Sequence, residues 1–174
     1  MFISTPRLRL RCWAQADRDV FAAMHADPEV MHDYRGPISR SESDAKLNRY
    51  MATYQEHSFS RWAVEAHVGE FLGYAGITPV RPRPSPRFTR TDRLAADAAW
   101  GFGYATEAAQ AALTDAFIRI GLDAVIAYTA ADNLRSQAVM TRLQMRRDPS
   151  RDFTADYATI KGWRGLVWEG RRGG

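Results

Sequence analysis

The stretch WGFGYATEAAQAALTDAF, residues 100–117, places two glycines directly before an alanine-rich segment with helical spacing. Leu113 and Phe117 are four residues apart, so they share one face of a helix predicted over 106–120, and Gly121 follows as its C-cap. Glycine at the start of a helix indicates either a tight bend or a close approach of the backbone to another group. The stretch therefore constrains both the fold and the position of a binding site.

The segments around this helix complete a strand–helix–strand–helix unit. AVIAYT, residues 124–129, is a short and nearly all-apolar run, which is typical of a strand buried on both faces. Asn133 then precedes LRSQAVMTRL as the N-cap of a second helix. With a strand before the glycines, the unit covers about residues 88–143. The pattern predicts an α/β fold, and the length of 174 residues predicts one domain over 1–174.

The first half of the chain predicts a strand, two helices and a hairpin. TPRLRLRCW alternates apolar and charged residues, the period of a half-buried strand. One helix begins after Asp17, and another begins at Ser39, which has capping-box spacing to Glu42. SRWAVEAH and EFLGYAGI are two strands joined by a turn at Gly69. RPRPSPR, residues 81–87, is predicted to be an exposed loop because prolines at alternate positions exclude a helix or a central strand. A late strand is expected in RGLVWEG.

The basic residues argue against one class of partner, nucleic acid, but do not identify a ligand. The formal net charge is +4, and all but Lys46 and Lys161 of the 24 Lys and Arg residues are arginine, which suits phosphate and carboxylate recognition. The arginines are spread along the chain without zinc-finger spacing, a basic helix or an RNA-binding aromatic motif, which argues against nucleic acid. A polyanionic ligand and a compositional bias of the genome both stay open.

The hydropathy, the cysteine content and the histidine spacing bear on membrane spans, disulfides and metal sites. No run is apolar and long enough to span a membrane. The single cysteine, Cys12, excludes an internal disulfide and is typical of a reducing cytoplasm, and we expect it in the core. The four histidines lack zinc-like pairing, so we expect no metal site. They are His25, His32, His57 and His67.

Three interpretations of the glycine-rich turn compete. A dinucleotide-binding turn needs a third glycine, but the chain has Thr106 at that position. A phosphate-binding P-loop needs a Gly-Lys-Ser/Thr triplet, and no lysine is nearby. What remains is either a helix packed tightly on a strand or main-chain recognition of an anion.

The stretch from Trp100 to Ala105 resembles the acyl-CoA pyrophosphate loop of the GCN5-related N-acetyltransferases (GNAT), whose pattern is Gln/Arg-x-x-Gly-x-Gly/Ala. Gly103 and Ala105 match the last two fixed positions, and Trp100 stands at the first. The subgroup of ribosomal-protein N-terminal acetyltransferases (RimJ/RimL-like) often has WGxGYATEA here, as this chain does. Other segments resemble that subgroup in the same order: TPRLRLR, DPEVM, RWAVE, FLGYAGI and DNLRSQAVMTRLQM, together covering about residues 3–147.

The resemblance implies a GNAT fold: a mixed, mostly antiparallel sheet flanked by helices, with a splayed parallel strand pair at the acyl-CoA site. The pair would be the strand near 88–95 and AVIAYT. The backbone amides of the loop would bind the pyrophosphate of acetyl-CoA, and a side chain at either glycine would obstruct them. The loop residues concerned are Trp100, Gly101, Phe102, Gly103, Tyr104, Ala105 and Thr106.

The resemblance also implies roles for residues outside the loop. Leu94 and Ala95 would lie in the strand that holds the pantetheine and the acetyl carbonyl. Asn133 would bond to the pantetheine arm, and Ser136 would lie near the sulfur as a donor or general acid. From the residues alone, Asn133 is equally an ordinary N-cap and Ser136 an ordinary residue of the first turn.

Two departures from the family pattern change the expectations. Compared with the family pattern, about four residues are missing directly before Arg93, which would shorten the acetyl-binding strand and remove the glutamate that often begins it. Asp92 is the nearest carboxylate and a stand-in general base, although the residues alone favour a solvated aspartate paired with neighbouring arginines, and water could relay the proton. Gln144 stands where the family has glycine after the second helix, which costs roughly 1 kcal/mol if φ is positive there.

The resemblance implies an N-acetyltransferase that moves an acetyl group from acetyl-CoA to a primary amine, either a protein N-terminus or a small molecule, in a ternary complex. The alternative is a non-catalytic acyl-CoA-binding or sensor protein of the same fold, which the shortened strand favours. His25 and His32 either line the acceptor cleft or, as we expect, lie on the surface. The sequence does not name the acceptor, and a homodimer stays open.

Overall fold

The structure, a computed structural model, describes residues 1–31, 36–79, 90–92, 101–156 and 161–173, with 90–92 described as backbone only. Within these described ranges, nine strands run in chain order: β1 Phe2–Ser4, β2 Leu8–Arg11, β3 Arg61–Ala66, β4 Phe71–Thr78, β5 Arg90–Asp92, β6 Ala124–Ala130, β7 Arg146–Arg147, β8 Phe153–Ala155 and β9 Trp163–Arg171. The described residues also contain five α-helices: α1 Arg18–Ala26, α2 Pro28–Met31, α3 Arg40–His57, α4 Tyr104–Asp115 and α5 Leu134–Arg142.

The strands form two antiparallel sheets. The first has the order β1-β2-β3-β4-β5, and the second has β6-β9-β7 with β8 also paired to β9. β5 and β6 lie next to each other, but no ladder of hydrogen bonds between described residues joins them. The expected mostly antiparallel strand pairing is therefore confirmed. The expectation that β5 and β6 are neighbours is confirmed as well.

Helices cover both faces of the first sheet because its strands alternate apolar side chains between the faces. On one face Leu8, Leu10 and Val64 pack with Ala108 of α4. On the other face the aromatic and aliphatic residues of α1 and α3 pack on Ala63 and Tyr74; the main members of this cluster are Trp13, Phe21, Met24, Leu47 and Tyr50. Full burial of each leucine stabilises the fold by about 2 kcal/mol.

α4 connects the two sheets. Ala108 and Ala112 belong to the cluster on the first sheet, whereas Leu113 and Ala116 pack with Val125 of β6 in a third cluster. The helix continues as one π-helical segment, Ala116–Ile120, and ends at Gly121 with φ of 81°. The C-cap is confirmed, and the helix begins two residues before the predicted start.

Most local predictions are confirmed. The hairpin has its turn at Gly69, with φ of 87°, and β6 is buried on both faces because the consecutive residues Val125, Ile126 and Ala127 are all buried. Ser39 caps α3 by accepting from the Glu42 N–H, and the Glu42 carboxylate accepts from the Ser39 N–H at 2.8 Å. RPRPSPR lies outside the described residues.

Candidate acyl-CoA site

The glycine-rich turn begins α4 in a left-handed backbone conformation. Gly101 has φ of 86° and Gly103 has φ of 78°, and Gly103 is the N-cap of the helix. A Cβ at Gly101 would meet nothing within 4 Å, and one at Gly103 would lie 3.6 Å from an Arg7 nitrogen. The positive φ values therefore favour glycine at both positions whatever the space around them, and the expectation that a side chain would stand between the amides and the phosphates stays a prediction.

The first turn of α4 offers backbone donors. The N–H groups of Tyr104, Ala105 and Thr106 occupy the first three helical positions, which have no partner within the helix, and Gly103 has no side chain to cap them. The helix dipole adds a partial positive charge at this end. Tyr104 and Ala105 are half-buried against the core of the first sheet, while Phe102 is 63% exposed. The turn can therefore bind an anion without a lysine.

Thr5 and Arg7 hold this turn from the start of the chain. The Glu107 carboxylate accepts from Thr5 Oγ1 at 2.6 Å, from the Arg7 backbone N–H at 3.0 Å and from Arg7 Nε at 2.6 Å. Arg7 Nη1 donates to the carbonyl of Phe102 at 2.7 Å. Partial burial acts to raise the pKa of Glu107, but these hydrogen bonds and the Arg7 charge lower it below its usual value.

Sequence reasoning did not identify this set. Thr5 and Arg7 precede Glu107 by about a hundred residues, and no helical or strand period connects positions so far apart. The available signal was the joint presence of TPRLRLR and WGFGYATEA, two segments of the resemblance that the fold brings into contact.

The structure places Asn133 as the N-cap of α5. Its Oδ1 accepts from the Ser136 N–H at 3.1 Å, and the residue is 8% exposed. The capping role that the residues alone suggest is therefore confirmed. Capping uses Oδ1 only, and among the described residues the Asn133 Nδ2 group makes no hydrogen bond, so its two donors can still bind a ligand carbonyl.

Asp92 is the last described residue of β5, and its backbone pairs with Gly76 of β4. Because β5 lies next to β6, Asp92 is located at the junction of the two sheets. Leu94, Ala95 and Trp100 lie outside the described residues, as does the segment in which four residues are expected to be missing. The proposed roles of these residues stay predictions.

His25 is fully buried, so the expectation of a surface histidine is wrong for this residue. It packs edge-on against Phe21, and its ring nitrogens lie 2.9 Å from the Phe21 carbonyl and 2.8 Å from Lys46 Nζ. Lys46 also donates to Tyr74 Oη at 3.1 Å. Burial and the Lys46 charge lower the pKa of His25 to about 4.

These distances select one form of the ring. A neutral imidazole with its proton on Nδ1 donates to the Phe21 carbonyl and accepts from the Lys46 ammonium on Nε2. A sequence signal existed, because His25 follows Phe21 by four residues and therefore shares its face of α1. These hydrogen bonds explain why a histidine can occupy the apolar, buried face of α1.

Cys12 is partly buried at the edge of the first core cluster, less deeply than expected. No group of three or more His, Cys, Asp or Glu residues that could hold a metal ion occurs within the described parts of the chain. Among the helices described, none has the length and apolar character needed to cross a membrane.

The chain is similar to curated proteins over much of its length. It is 31% identical to the FsC-acetyl coenzyme A-N(2)-transacetylase of Aspergillus fumigatus over 147 residues, 79% of this chain and 62% of that protein. It is 33% identical to the protein YkkB of Bacillus subtilis over 115 residues, 65% of this chain and 66% of that protein. The chain thus spans slightly less than two thirds of the length of these relatives.

Solved structures share the fold. An acetyltransferase from Agrobacterium tumefaciens superposes with a TM-score of 0.81 at 24% identity, covering 98% of this chain and 94% of that one. The ribosomal-protein alpha-N-acetyltransferase RimL, solved in complex with coenzyme A, superposes with a TM-score of 0.79 at 14% identity, covering 98% of each chain. An acetyl transferase from Salmonella typhimurium that modifies the N-terminal serine of a 50S ribosomal subunit protein gives 0.81 at 14% identity, covering 98% of this chain and 99% of that one.

The family is identified by a match over most of the chain. The sequence profile described as the acetyltransferase (GNAT) domain matches residues 7–146, which include Arg7, the glycine-rich turn and both helices that follow it. The chain belongs to the GNAT family of acetyltransferases.

Proposed function

We propose that this protein transfers an acetyl group from acetyl-CoA to a primary amine. The observation that carries the proposal is the left-handed turn from Gly101 to Gly103, which begins α4 and points its first amides out of the helix. In a member of the GNAT family, such a turn is suited to the pyrophosphate of coenzyme A.

The remaining contacts to coenzyme A follow the family pattern. The amides from Gly101 to Thr106 bind the two phosphates, and the family pattern assigns Trp100 and Phe102 to the same loop. Asn133 donates from Nδ2 to the pantetheine arm while its Oδ1 caps α5. Leu94 and Ala95 bind the pantetheine and the acetyl carbonyl through their backbone.

The reaction needs a neutral amine, donors for the oxyanion and a proton for the leaving group. The amine nitrogen forms a bond to the acetyl carbon, the carbon–sulfur bond breaks, the amine loses a proton and the thiolate gains one. Asp92, directly or through water, is our candidate to take the proton from the amine. Ser136 is our candidate to donate to the sulfur.

The acceptor is a protein N-terminus or a small-molecule amine. The names of two similar proteins support both kinds, because one acetylates the N-terminal serine of a ribosomal protein and the other is an N(2)-transacetylase. The first reaction acylates an amine and the name of the second protein places the acetyl group on a nitrogen, which is in keeping with the amine acceptor that we propose for this chain.

Calorimetry with coenzyme A tests the site on an isosteric pair of variants, Gly101→Asn and Gly101→Asp. Both side chains enter open space and both tolerate the left-handed backbone, so they differ mainly in charge. We expect Gly101→Asn to stay within about threefold of the wild type and Gly101→Asp to bind at least tenfold more weakly, because a carboxylate repels the phosphates. Equal affinity of the two variants would place the pyrophosphate elsewhere.

A further inference from the structure

We propose that Arg7 is a positioning residue that orients the Gly103 N–H toward the pyrophosphate of coenzyme A. This inference rests on the proposed function and extends its site to the opposite end of the sequence. It is carried by the hydrogen bond from Arg7 Nη1 to the Phe102 carbonyl, 2.7 Å long, which joins the start of the chain to the glycine-rich turn.

The argument begins with the geometry of a peptide bond. The carbonyl of Phe102 and the N–H of Gly103 belong to the same planar trans unit, so they point in opposite directions. A guanidinium that holds the carbonyl on one side therefore turns the N–H to the other side. This N–H belongs to the N-cap residue of α4 and comes directly before the amides of the first turn.

The glycines on either side make this restraint necessary. Gly101 and Gly103 both have positive φ, and glycine crosses between backbone regions more easily than any other residue. Phe102 is exposed, so its side chain gives the turn little packing. If the peptide unit reorients, a carbonyl oxygen faces the phosphates in place of a donor, which opposes binding.

Arg7 is itself held in place. Its Nε and Nη2 atoms both lie 2.6 Å from Glu107 Oε2, and its guanidinium lies 4.7 Å over the ring of Tyr104. Thr5 Oγ1 donates to the other oxygen of the Glu107 carboxylate. The Glu107 charge balances that of Arg7, so Arg7 acts through the direction of its donors more than through its charge. Only the planar fork of arginine bonds the carboxylate and the carbonyl together, whereas lysine is a point charge.

The test compares two substitutions of Arg7 with the same substitutions of Arg9. Arg9 lies two residues further along the chain, in β2, its side chain is 48% exposed against 46% for Arg7, and it pairs with Glu65. Coenzyme A is titrated into the wild type, Arg7→Lys, Arg7→Gln, Arg9→Lys and Arg9→Gln by calorimetry. We expect both Arg7 variants to bind about tenfold more weakly, with both Arg9 variants within twofold of the wild type.

A nuclear magnetic resonance signature separates positioning from general loss of structure. In ¹⁵N–¹H spectra we expect coenzyme A to shift the Gly103 amide strongly in the wild type and weakly in Arg7→Lys, while peaks from β3 and β4 stay at wild-type positions. Arg7→Lys with wild-type affinity and a wild-type Gly103 shift would overturn the role of Arg7 alone. A wild type that binds no coenzyme A would overturn the proposed function, and the role of Arg7 with it.

Discussion

Gln144 has a backbone conformation that suits glycine. Its φ is 56°, one of two positive values among the described non-glycine residues, and it follows Leu143, the C-cap of α5. The sequence comparison with the family pattern anticipated this cost, because glycine is the usual residue there. The conformation follows from the chain reversal between α5 and β7, where the Met145 N–H bonds to the Met140 carbonyl at 3.0 Å.

We expect Gln144→Gly to raise the free energy of unfolding by about 0.5 to 1 kcal/mol, because glycine removes the Cβ penalty of the left-handed region. The matched control is Ala138→Gly within α5, which should lower stability by about 1 kcal/mol since the backbone there is helical. Urea denaturation measures both. A destabilised Gln144→Gly would show that the glutamine side chain contributes more than its backbone conformation costs.

His25 makes stability depend on pH in a defined window. Its pKa in the folded protein, about 4, is below the ordinary 6.5, so the unfolded chain binds more protons between these values. Stability is complete above pH 6.5 and falls as the pH drops toward 4. Between pH 6.5 and 4.5 the expected loss is about 2 to 3 kcal/mol at 1.36 kcal/mol per unit.

Urea denaturation at pH 7 and pH 4.5 checks this effect in the wild type, His25→Gln and His67→Gln. The His67→Gln control changes an exposed histidine and should keep the pH dependence of the wild type. His25→Gln should lose most of it, since glutamine does not titrate. The account of His25 is wrong if all three proteins show the same change between the two pH values.

At the scale of elements, the capping box of α3 was predictable because its whole signal lies within four residues. Ser39→Ala removes the acceptor for the Glu42 N–H and should lower the free energy of unfolding by about 1 kcal/mol. Ser41→Ala is the control, because Ser41 is an exposed residue in the first turn and should change stability by less than 0.5 kcal/mol. Equal effects in urea denaturation would contradict the capping role.

Elements with a local signal were predicted, and those that depend on distant partners were not. The helix that ends at Gly121 and the hairpin around Gly69 follow from residue spacing and turn chemistry. The short strands β1 and β7 have three and two residues, too few to show a period, and exist through pairing with β2 and β9. Their positions depend on register that the sequence does not display.

The residues of the candidate site also divide into those with a local sequence signal and those without one. Gly101, Gly103 and the cap at Asn133 were identified because each occupies a recognisable place beside a helix. The contacts of Arg7 with Glu107 and with the Phe102 carbonyl were not, because folding alone brings β2 and α4 together. His25 was misplaced because histidine is polar, although its position four residues after Phe21 puts it on the buried face of α1.

For the whole molecule, the site lies where two sheets meet. β5 of the first sheet lies beside β6 of the second, and α4 packs on both. The turn that precedes α4 and the cap of α5 are thereby held by two separate cores. In the proposed function, this arrangement holds the coenzyme A site in place, while acetyl transfer depends on the segment around Asp92, where the sequence departs from the family.

The departure from the family pattern before Arg93 predicts a slow turnover. If the strand around Arg93 is short, the pyrophosphate contacts persist while alignment of the acetyl carbonyl suffers, so binding is retained and transition-state stabilisation is reduced. We expect coenzyme A to bind at micromolar strength, about −8 kcal/mol. Turnover should be slower than the typical enzyme value of about 10 per second. Inserting Glu-Ile-Gly-Tyr between Asp92 and Arg93 should raise turnover more than affinity.

The most direct test of acetyl transfer is the release of coenzyme A thiol from acetyl-CoA, followed with and without a panel of amines that includes small amines and peptides with a free N-terminus. The account predicts thiol release that depends on an amine and is matched by acetylated amine in mass spectra. Tight binding of acetyl-CoA with no amine-dependent release from any member of the panel would contradict it and favour an acyl-CoA-binding protein instead.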